Sequence, residues 1–182
     1  MIFTETALAG SYVIDIEVYE DYRGYFGRAW CRKEFEAKGL TVCMVQGNVS
    51  FNHTRGTLRG MHYQTEPCRE VKLVRCVRGR VFDIIIDLRP GSATFKQWIG
   101  VELSADNRRM LYVPQGFAHG YQTLEDNSEV NYLVSEYYAP DHERGIRYND
   151  PAFGIQWPES KVRVISDKDR SWPDFPAEGF HV

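Results

Sequence analysis

The sequence predicts an all-β chain, a sandwich or barrel of short strands with a few short helices. Three observations carry that prediction. Segments rich in β-branched and aromatic residues recur at short, regular intervals. Turn residues punctuate them at Arg89-Pro90-Gly91-Ser92, Ser104-Ala105-Asp106-Asn107 and Glu125-Asp126-Asn127. Between Arg80 and Leu88 the side chains alternate with period two. Phe82, Ile84, Ile86 and Leu88 share one face, and Val81, Asp83, Ile85 and Asp87 share the other.

The elements follow in order. Tyr12 to Tyr19 has strand composition. Cys31 to Lys38 is the clearest helix candidate, because Gly39 stands where a helix C-terminus favours glycine. Val71 to Val77 and Arg80 to Leu88 flank Arg78-Gly79, which predicts a hairpin. Further strands are expected at Lys96 to Leu103, Arg109 to Val113, Ala118 to Leu124 and Glu129 to Tyr138. From Ala139 the chain is rich in loop residues, with one more strand candidate at Val162 to Ile165. There is no internal repeat or low-complexity tract, and 182 residues suit one domain with a sizeable core.

Composition narrows the function. The net charge of −3 gives no general attraction for nucleic acid or an anionic membrane, although a local basic pocket for a small anion is compatible with it. No apolar run approaches a membrane span. Met1 to Thr6 lacks the basic and apolar regions of a secretory signal. Cys31, Cys43, Cys68 and Cys76 show no C-x-x-C spacing, so free thiols in a reducing cytoplasm are expected.

Several residues have the chemistry of a site. Arg59-Gly60-Met61-His62-Tyr63-Gln64 sets a cation and an imidazole three residues apart within a predicted strand. An ordinary half-buried strand histidine is the plain alternative, yet imidazole is the side chain best matched to proton transfer near neutral pH. In Val113-Pro114-Gln115-Gly116-Phe117-Ala118-His119-Gly120, a Pro–Gly turn leads into a strand with His119 two residues inside. This P-x-G-x-x-H run is similar to the second half of the cupin signature. A cupin metal site calls for H-x-H in the first half, where this chain has His62-Tyr63-Gln64. Two histidines are too few for the three or four protein ligands of a usual metal site, so no metal is expected. Ser166-Asp167-Lys168-Asp169 reads as a solvated turn unless Asp169 approaches a histidine, whose tautomer and basicity it would then set. Tyr132, Tyr137 and Tyr138 fall on predicted strand, where a phenol in a dry pocket can donate a proton.

Taken together, these segments resemble the dTDP-4-dehydrorhamnose 3,5-epimerase family. The resemblance runs through Asp21-Tyr22-Arg23-Gly24-Tyr25-Phe26, Gly56-Thr57-Leu58-Arg59-Gly60-Met61-His62-Tyr63-Gln64 and Lys72-Leu73-Val74-Arg75. It continues through Pro114 to His119, Tyr137-Tyr138-Ala139-Pro140, His142-Glu143-Arg144-Gly145 and Ser166 to Asp169. It implies a jelly-roll cupin fold, a homodimer, and no metal or organic cofactor. It also implies His62 as general base, Asp169 as its carboxylate partner, Tyr132 as general acid and Lys72 as the cation beside the ketone oxygen. Arg23, Gln46, Asn48, Arg59, His119, Tyr138, Glu143 and Lys168 match positions that hold the nucleotide sugar. Two positions depart from the family pattern. Arg28 stands where a glutamate is common, and Gln46-Gly47-Asn48 stands for Gln-Asp-Asn. Both bear on the nucleotide base and the sugar, not on proton transfer.

The reaction so implied inverts C3, C5 or both in a nucleotide-linked 4-keto-6-deoxyhexose. The ketone acidifies its neighbouring carbons, and a cation or donor aimed at the ketone oxygen stabilises the enolate. The alternatives are a single-centre epimerase or ketoisomerase on a related sugar, CDP-linked included, or a non-enzymatic sugar-binding cupin. A metal-dependent oxygenase is a weaker one.

Overall fold

The computed structural model describes residues 1–160 and 163–176. Its strands are β1 Ile2–Glu5, β2 Tyr12–Asp15, β3 Val18–Asp21, β4 Gly24–Gly27, β5 Gln46–Asn52, β6 Thr57–Gln64 and β7 Lys72–Arg78. They continue as β8 Arg80–Asp87, β9 Trp98–Ser104, β10 Met110–Val113, β11 Phe117–Thr123, β12 Ser128–Val134, β13 Glu143–Gly145 and β14 Val164–Ile165. The helices are short, α1 at Arg32–Glu36 and α2 at Asp167–Arg170, with a 3-10 turn at Pro140–His142.

Two sheets face each other. The first runs β1-β2-β10-β7-β12-β5, and the second runs β13-β6-β11-β8-β9 with β14 added in parallel to β6. Val74, Cys76, Leu111, Val113 and Val130 from the first sheet meet Val81, Ile85, Leu103, Phe117 and Tyr121 from the second. Burying this apolar area is the main force holding the sheets together. The outer face of the second sheet is buried too. Ile84, Ile86, Leu88 and Met61 pack there against Ile146, Phe153 and Phe175 of the tail. Both faces of β8 are therefore dry, which explains why apolar residues occupy both of its alternating sets. On the outer face of the first sheet, Phe35 of α1 covers Ile14, Leu73, Met110 and Tyr112.

Several sequence expectations need correction. The predicted hairpin does not exist: β7 pairs with β10 and β12, whereas β8 pairs with β9 and β11 in the opposite sheet. The single residue between them, Gly79 at φ +69°, turns a corner between sheets, and a Cβ there would meet Ser128 Oγ at 2.5 Å. The strand expected from Tyr12 to Tyr19 breaks after Asp15. Beyond that point neither β1 nor β10 offers a partner, and Val18 begins a separate ribbon of β3 and β4. The strand expected to reach Tyr138 stops at Val134, opposite Gln46 and Lys72 where both neighbouring strands begin. Tyr137 and Tyr138 are therefore exposed. The expected helix is also shorter, with Cys31 before its first residue and Gly39 at φ +69° beyond its end. Of the strand expected at Val162 to Ile165, Val164 and Ile165 are β14, while residue 162 lies outside the described residues.

One irregularity shapes the space between the sheets. β6 and β11 pair His62 with His119 but Arg59 with Tyr121, so β6 carries one extra residue across that interval. This is a β-bulge, and it breaks the period-two alternation. Arg59 and His62, three apart, both come to face the space between the sheets. Gly60 makes the bulge possible. It sits at φ +114°, and a Cβ there would meet Gly120 Cα at 2.6 Å and His119 O at 2.8 Å. Overpacking against backbone costs about 1–3 kcal/mol. Gly60→Ala is expected to lose about that much stability or more in urea unfolding; a loss below about 0.5 kcal/mol, as at an ordinary surface site, would show that the close approach does not matter.

Candidate active site

Each sheet contributes inward polar side chains to one slot. From the first sheet come Lys72 on β7, Tyr132 on β12 and the alternating series Asn48, Ser50 and Asn52 on β5. From the second come Arg59 and His62 on β6, and His119 and Tyr121 on β11. Ser50, Arg59, His62, Lys72, His119, Tyr132, Lys168 and Asp169 line a cavity of about 280 Å³. A neighbouring cavity of about 260 Å³ shares His62, Lys72 and Tyr132 and adds Gln46, Asn48, Glu70, Tyr138 and Glu143. The three shared residues form the junction between the two compartments.

The tail completes the slot. β14 pairs Ile165 with Leu58 of β6, which delivers α2 beneath the bulge. Ser166 caps α2 by accepting the backbone N–H of Asp169. Asp169 Oδ1 then lies 2.6 Å from His62 Nε2, and its Oδ2 accepts the Gly60 N–H at 3.3 Å. The solvated-turn reading of this run therefore fails at Asp169, which is buried. Burial alone pushes the Asp169 carboxyl up. The hydrogen bond and charge of His62, with the Gly60 and Ser166 contacts, outweigh it and hold the group below its ordinary value.

Carboxylates recur beside the other basic side chains. Asp83, with 0% exposure, holds His119 Nε2 between its two oxygens at 3.0 Å each. Glu143 accepts from Lys168 Nζ at 2.6 Å and from the Tyr138 hydroxyl at 2.7 Å. Burial would raise the Glu143 carboxyl, but these two bonds bring it below its usual range. Lys72 Nζ sits 3.0 Å from Glu70 Oε1. Arg59 differs. Its Nε donates to Asn52 Oδ1 at 2.8 Å and its Nη2 to the Phe51 carbonyl, and among the described residues no carboxylate pairs with it. The Tyr132 phenol is held protonated: burial raises it most, Tyr121, Glu70 and Glu143 add to that, and Arg59 opposes.

The donor set does not resemble a metal site. Both histidines of the slot turn Nε2 to a carboxylate. Gln64 spends its amide on the backbone of Cys68, Tyr137 and Ala139. Among the described residues no group of three or more His, Cys, Asp or Glu side chains is placed to hold a metal ion.

A family model described as dTDP-4-dehydrorhamnose 3,5-epimerase matches residues 5–177. The chain belongs to the dTDP-4-dehydrorhamnose 3,5-epimerase family. It is 46% identical over 172 residues to the epimerase of Methanothermobacter thermautotrophicus, covering 93% of this chain and 92% of that protein. The crystal structure of the Bacillus anthracis epimerase with TDP and pyrophosphate bound superposes with a TM-score of 0.92 at 42% identity, over 96% of this chain and 99% of that one. The Legionella pneumophila epimerase in complex with dTDP-4-keto-L-rhamnose gives 0.89 at 36% identity, over 97% and 99%. The two-sheet sandwich is thus the jelly roll of this epimerase family.

Of the catalytic and ligand-holding residues that the resemblance implies, all but one meet in the slot. The exception is Arg23. It lies in the β3–β4 turn, its side chain is 73% exposed, and it pairs with Asp21 of the same ribbon. The structure adds Asp83 and Glu70, which no motif singles out. Asp83 has a signal in the sequence, a lone carboxylate between Val81 and Ile85 on an apolar strand face. Glu70 has none.

The depressed Asp169 carboxyl sets a pH dependence. A group whose folded pKa lies below its unfolded value stabilises the fold above the unfolded value, and that contribution is lost as pH falls through the folded one. Wild type is therefore expected to be more stable than Asp169→Asn at neutral pH, with the gap closing below the ordinary value of 3.8. Denaturant unfolding from about pH 7 to about pH 2.5 reads this out, and a gap constant across that range would contradict it.

Proposed function

We propose that this chain is a dTDP-4-dehydrorhamnose 3,5-epimerase that inverts carbons flanking the ketone of a dTDP-linked 4-keto-6-deoxyhexose. The observation that carries the reading is that His62 and Tyr132 face one cavity from opposite sheets, with Lys72 at the same junction. Inversion needs a base on one face of the sugar and an acid on the other.

His62, with Nε2 bound to Asp169, takes the carbon-bound proton on its other ring nitrogen. The C–H electrons move onto the ketone oxygen, and the Lys72 ammonium stabilises that charge. Asp169 stabilises the imidazolium that forms. The Tyr132 O–H then gives its proton to the opposite face of the carbon. One cycle leaves His62 with an extra proton and Tyr132 without one, and exchange with solvent resets both. Each positioned proton-transfer group contributes about 10²–10⁴-fold. The reading asks for no metal or organic cofactor, because acid, base and charge stabiliser are all side chains.

Arg59, which pairs with no carboxylate among the described residues, suits the diphosphate, which guanidinium binds in bidentate fashion. Gln46, Asn48, Tyr138 and Glu143 in the second compartment, and His119 and Lys168 in the first, hold the remaining groups of the ligand. The whole chain acts as one epimerase domain in the cytoplasm, in keeping with four free cysteines. It pairs with a second copy. Supporting this are an apolar outer groove lined by Trp30, Val49, Leu73 and Leu133, and the exposed aromatics Tyr19, Tyr22, Tyr25 and Phe26 of the β3–β4 ribbon.

The experiment is solvent deuterium incorporation into dTDP-, CDP-, UDP- and GDP-linked 4-keto-6-deoxyglucose, followed by proton NMR. Exchange at both C3 and C5 of the dTDP sugar is the expected result, and exchange at one centre only would make the chain a single-centre epimerase. His62→Ala is expected to lose at least about 10²-fold in exchange while still binding dTDP. No exchange by wild type into any of these sugars, or a wild-type rate in His62→Ala, would overturn the reading.

A further inference from the structure

Glu70 stands two residues before Lys72, on the segment entering β7. The Val71 between them is pinned on both sides. Its N–H donates to Ser135 Oγ at 2.8 Å, and its carbonyl accepts the Ser135 N–H at 3.1 Å. Residues 70 and 72, on either side of it, both line the second compartment. Glu70 lines the compartment that also holds Tyr132, Glu143 and His62. Its side chain is 13% exposed and that of Lys72 is 9%.

A lysine ammonium has three donors on a flexible stem, and holding it in one place costs side-chain entropy. Here the ammonium has two neighbours. Glu70 Oε1 forms an ion pair with it at 3.0 Å, and the His62 carbonyl accepts from it at 3.5 Å. These two neighbours hold the ammonium at the junction of the compartments, both of which Lys72 lines. Water and salt screen the attraction in so sheltered an ion pair less than they do at the surface.

We propose that Glu70 is a positioning residue that fixes the Lys72 ammonium where it meets the oxygen on which enolate charge develops. Glu70 acts through Lys72, whose ammonium it meets at 3.0 Å. Its charge also faces the Tyr132 phenol, alongside Tyr121 from β11, Glu143 from β13, Arg59 and His62 from β6 and Lys72 from β7. It favours the protonated phenol that a proton donor needs. The inference rests on the reading that Lys72 stabilises an enolate.

The test uses Glu70→Gln, which keeps the shape and removes the charge, and Glu70→Asp, which keeps the charge. For Glu70→Gln, kcat is expected to fall about tenfold, the lower end of what losing an outer support of a working group costs. KM is expected to change less than about twofold, because the nucleotide contacts are untouched. Glu70→Asp restores most of kcat. A second readout needs no turnover. The ultraviolet titration of Tyr132, isolated by subtracting the Tyr132→Phe spectrum in each background, is expected to move to lower pH in Glu70→Gln and not in Glu70→Asp. A Glu70→Gln protein with wild-type kcat and an unmoved Tyr132 titration would overturn the proposal. So would equal losses in kcat and melting temperature in both variants, which would mark Glu70 as merely structural. Were wild type to turn over none of the sugars, the enolate reading would fail on its own, and an unmoved titration would separately remove Glu70.

Discussion

The site depends on one backbone constraint, the bulge where β6 passes β11 at Gly60. A regular strand shows residues 59 and 62 to opposite faces. The extra residue brings Arg59 and His62 to the same face, opposite Tyr121 and His119. Only glycine fits the close approach, since a Cβ on Gly60 would lie 2.6 Å from Gly120 Cα. The same bulge turns the Gly60 N–H toward Asp169, so the backbone that positions the base also helps hold its carboxylate. Barrel and sandwich folds often use bulges to re-aim side chains beside a site, and this one sets the site's geometry.

A second constraint is electrostatic. The slot lies between apolar layers, where an unpaired charge is costly and a paired one is tolerated. Its occupants follow that rule: His62 with Asp169, His119 with Asp83, Lys168 with Glu143, and Lys72 with Glu70. Arg59 is held by neutral oxygens instead. In the proposed function its charge is reserved for a diphosphate. The pairs do more than offset burial. In the proposals above, Asp169 orients the base and Glu70 limits where the ammonium can go, and His62 and Lys72 both line the cavity.

Much of this is legible in the sequence. Period two and turn residues locate β8 to β11 closely, because strands buried on one or both faces print their alternation directly. The ordered motifs include His62, Asp169 and most of the lining, and the resemblance adds Tyr132; the fold gathers them into one slot. Partnership between strands is not legible. Arg78-Gly79 looks like a hairpin turn, and nothing local shows that the chain changes sheets there. Strand ends escape for a related reason: β12 stops where β5 and β7 begin, a fact about its neighbours and not about residues 135 to 138. The bulge is hidden as well, since Arg59-Gly60-Met61-His62 reads as ordinary strand until β11 is set beside it. Glu70 escapes because one acidic residue before a strand has no periodic or motif signal.

The proposed mechanism requires two proton-transfer groups on opposite faces of the sugar, with different jobs. His62 reaches the cavity from the second sheet and Tyr132 from the first, and burial keeps the phenol protonated. The most direct measurement uses Tyr132→Phe, which keeps the ring and removes the O–H. In deuterated water, solvent exchange and product stereochemistry are read in the same sample by proton NMR. The account predicts deuterium at the carbons flanking the ketone with retained configuration, because the enolate still forms and His62 returns a deuteron to the face it came from. Inversion at the wild-type rate in Tyr132→Phe would contradict it.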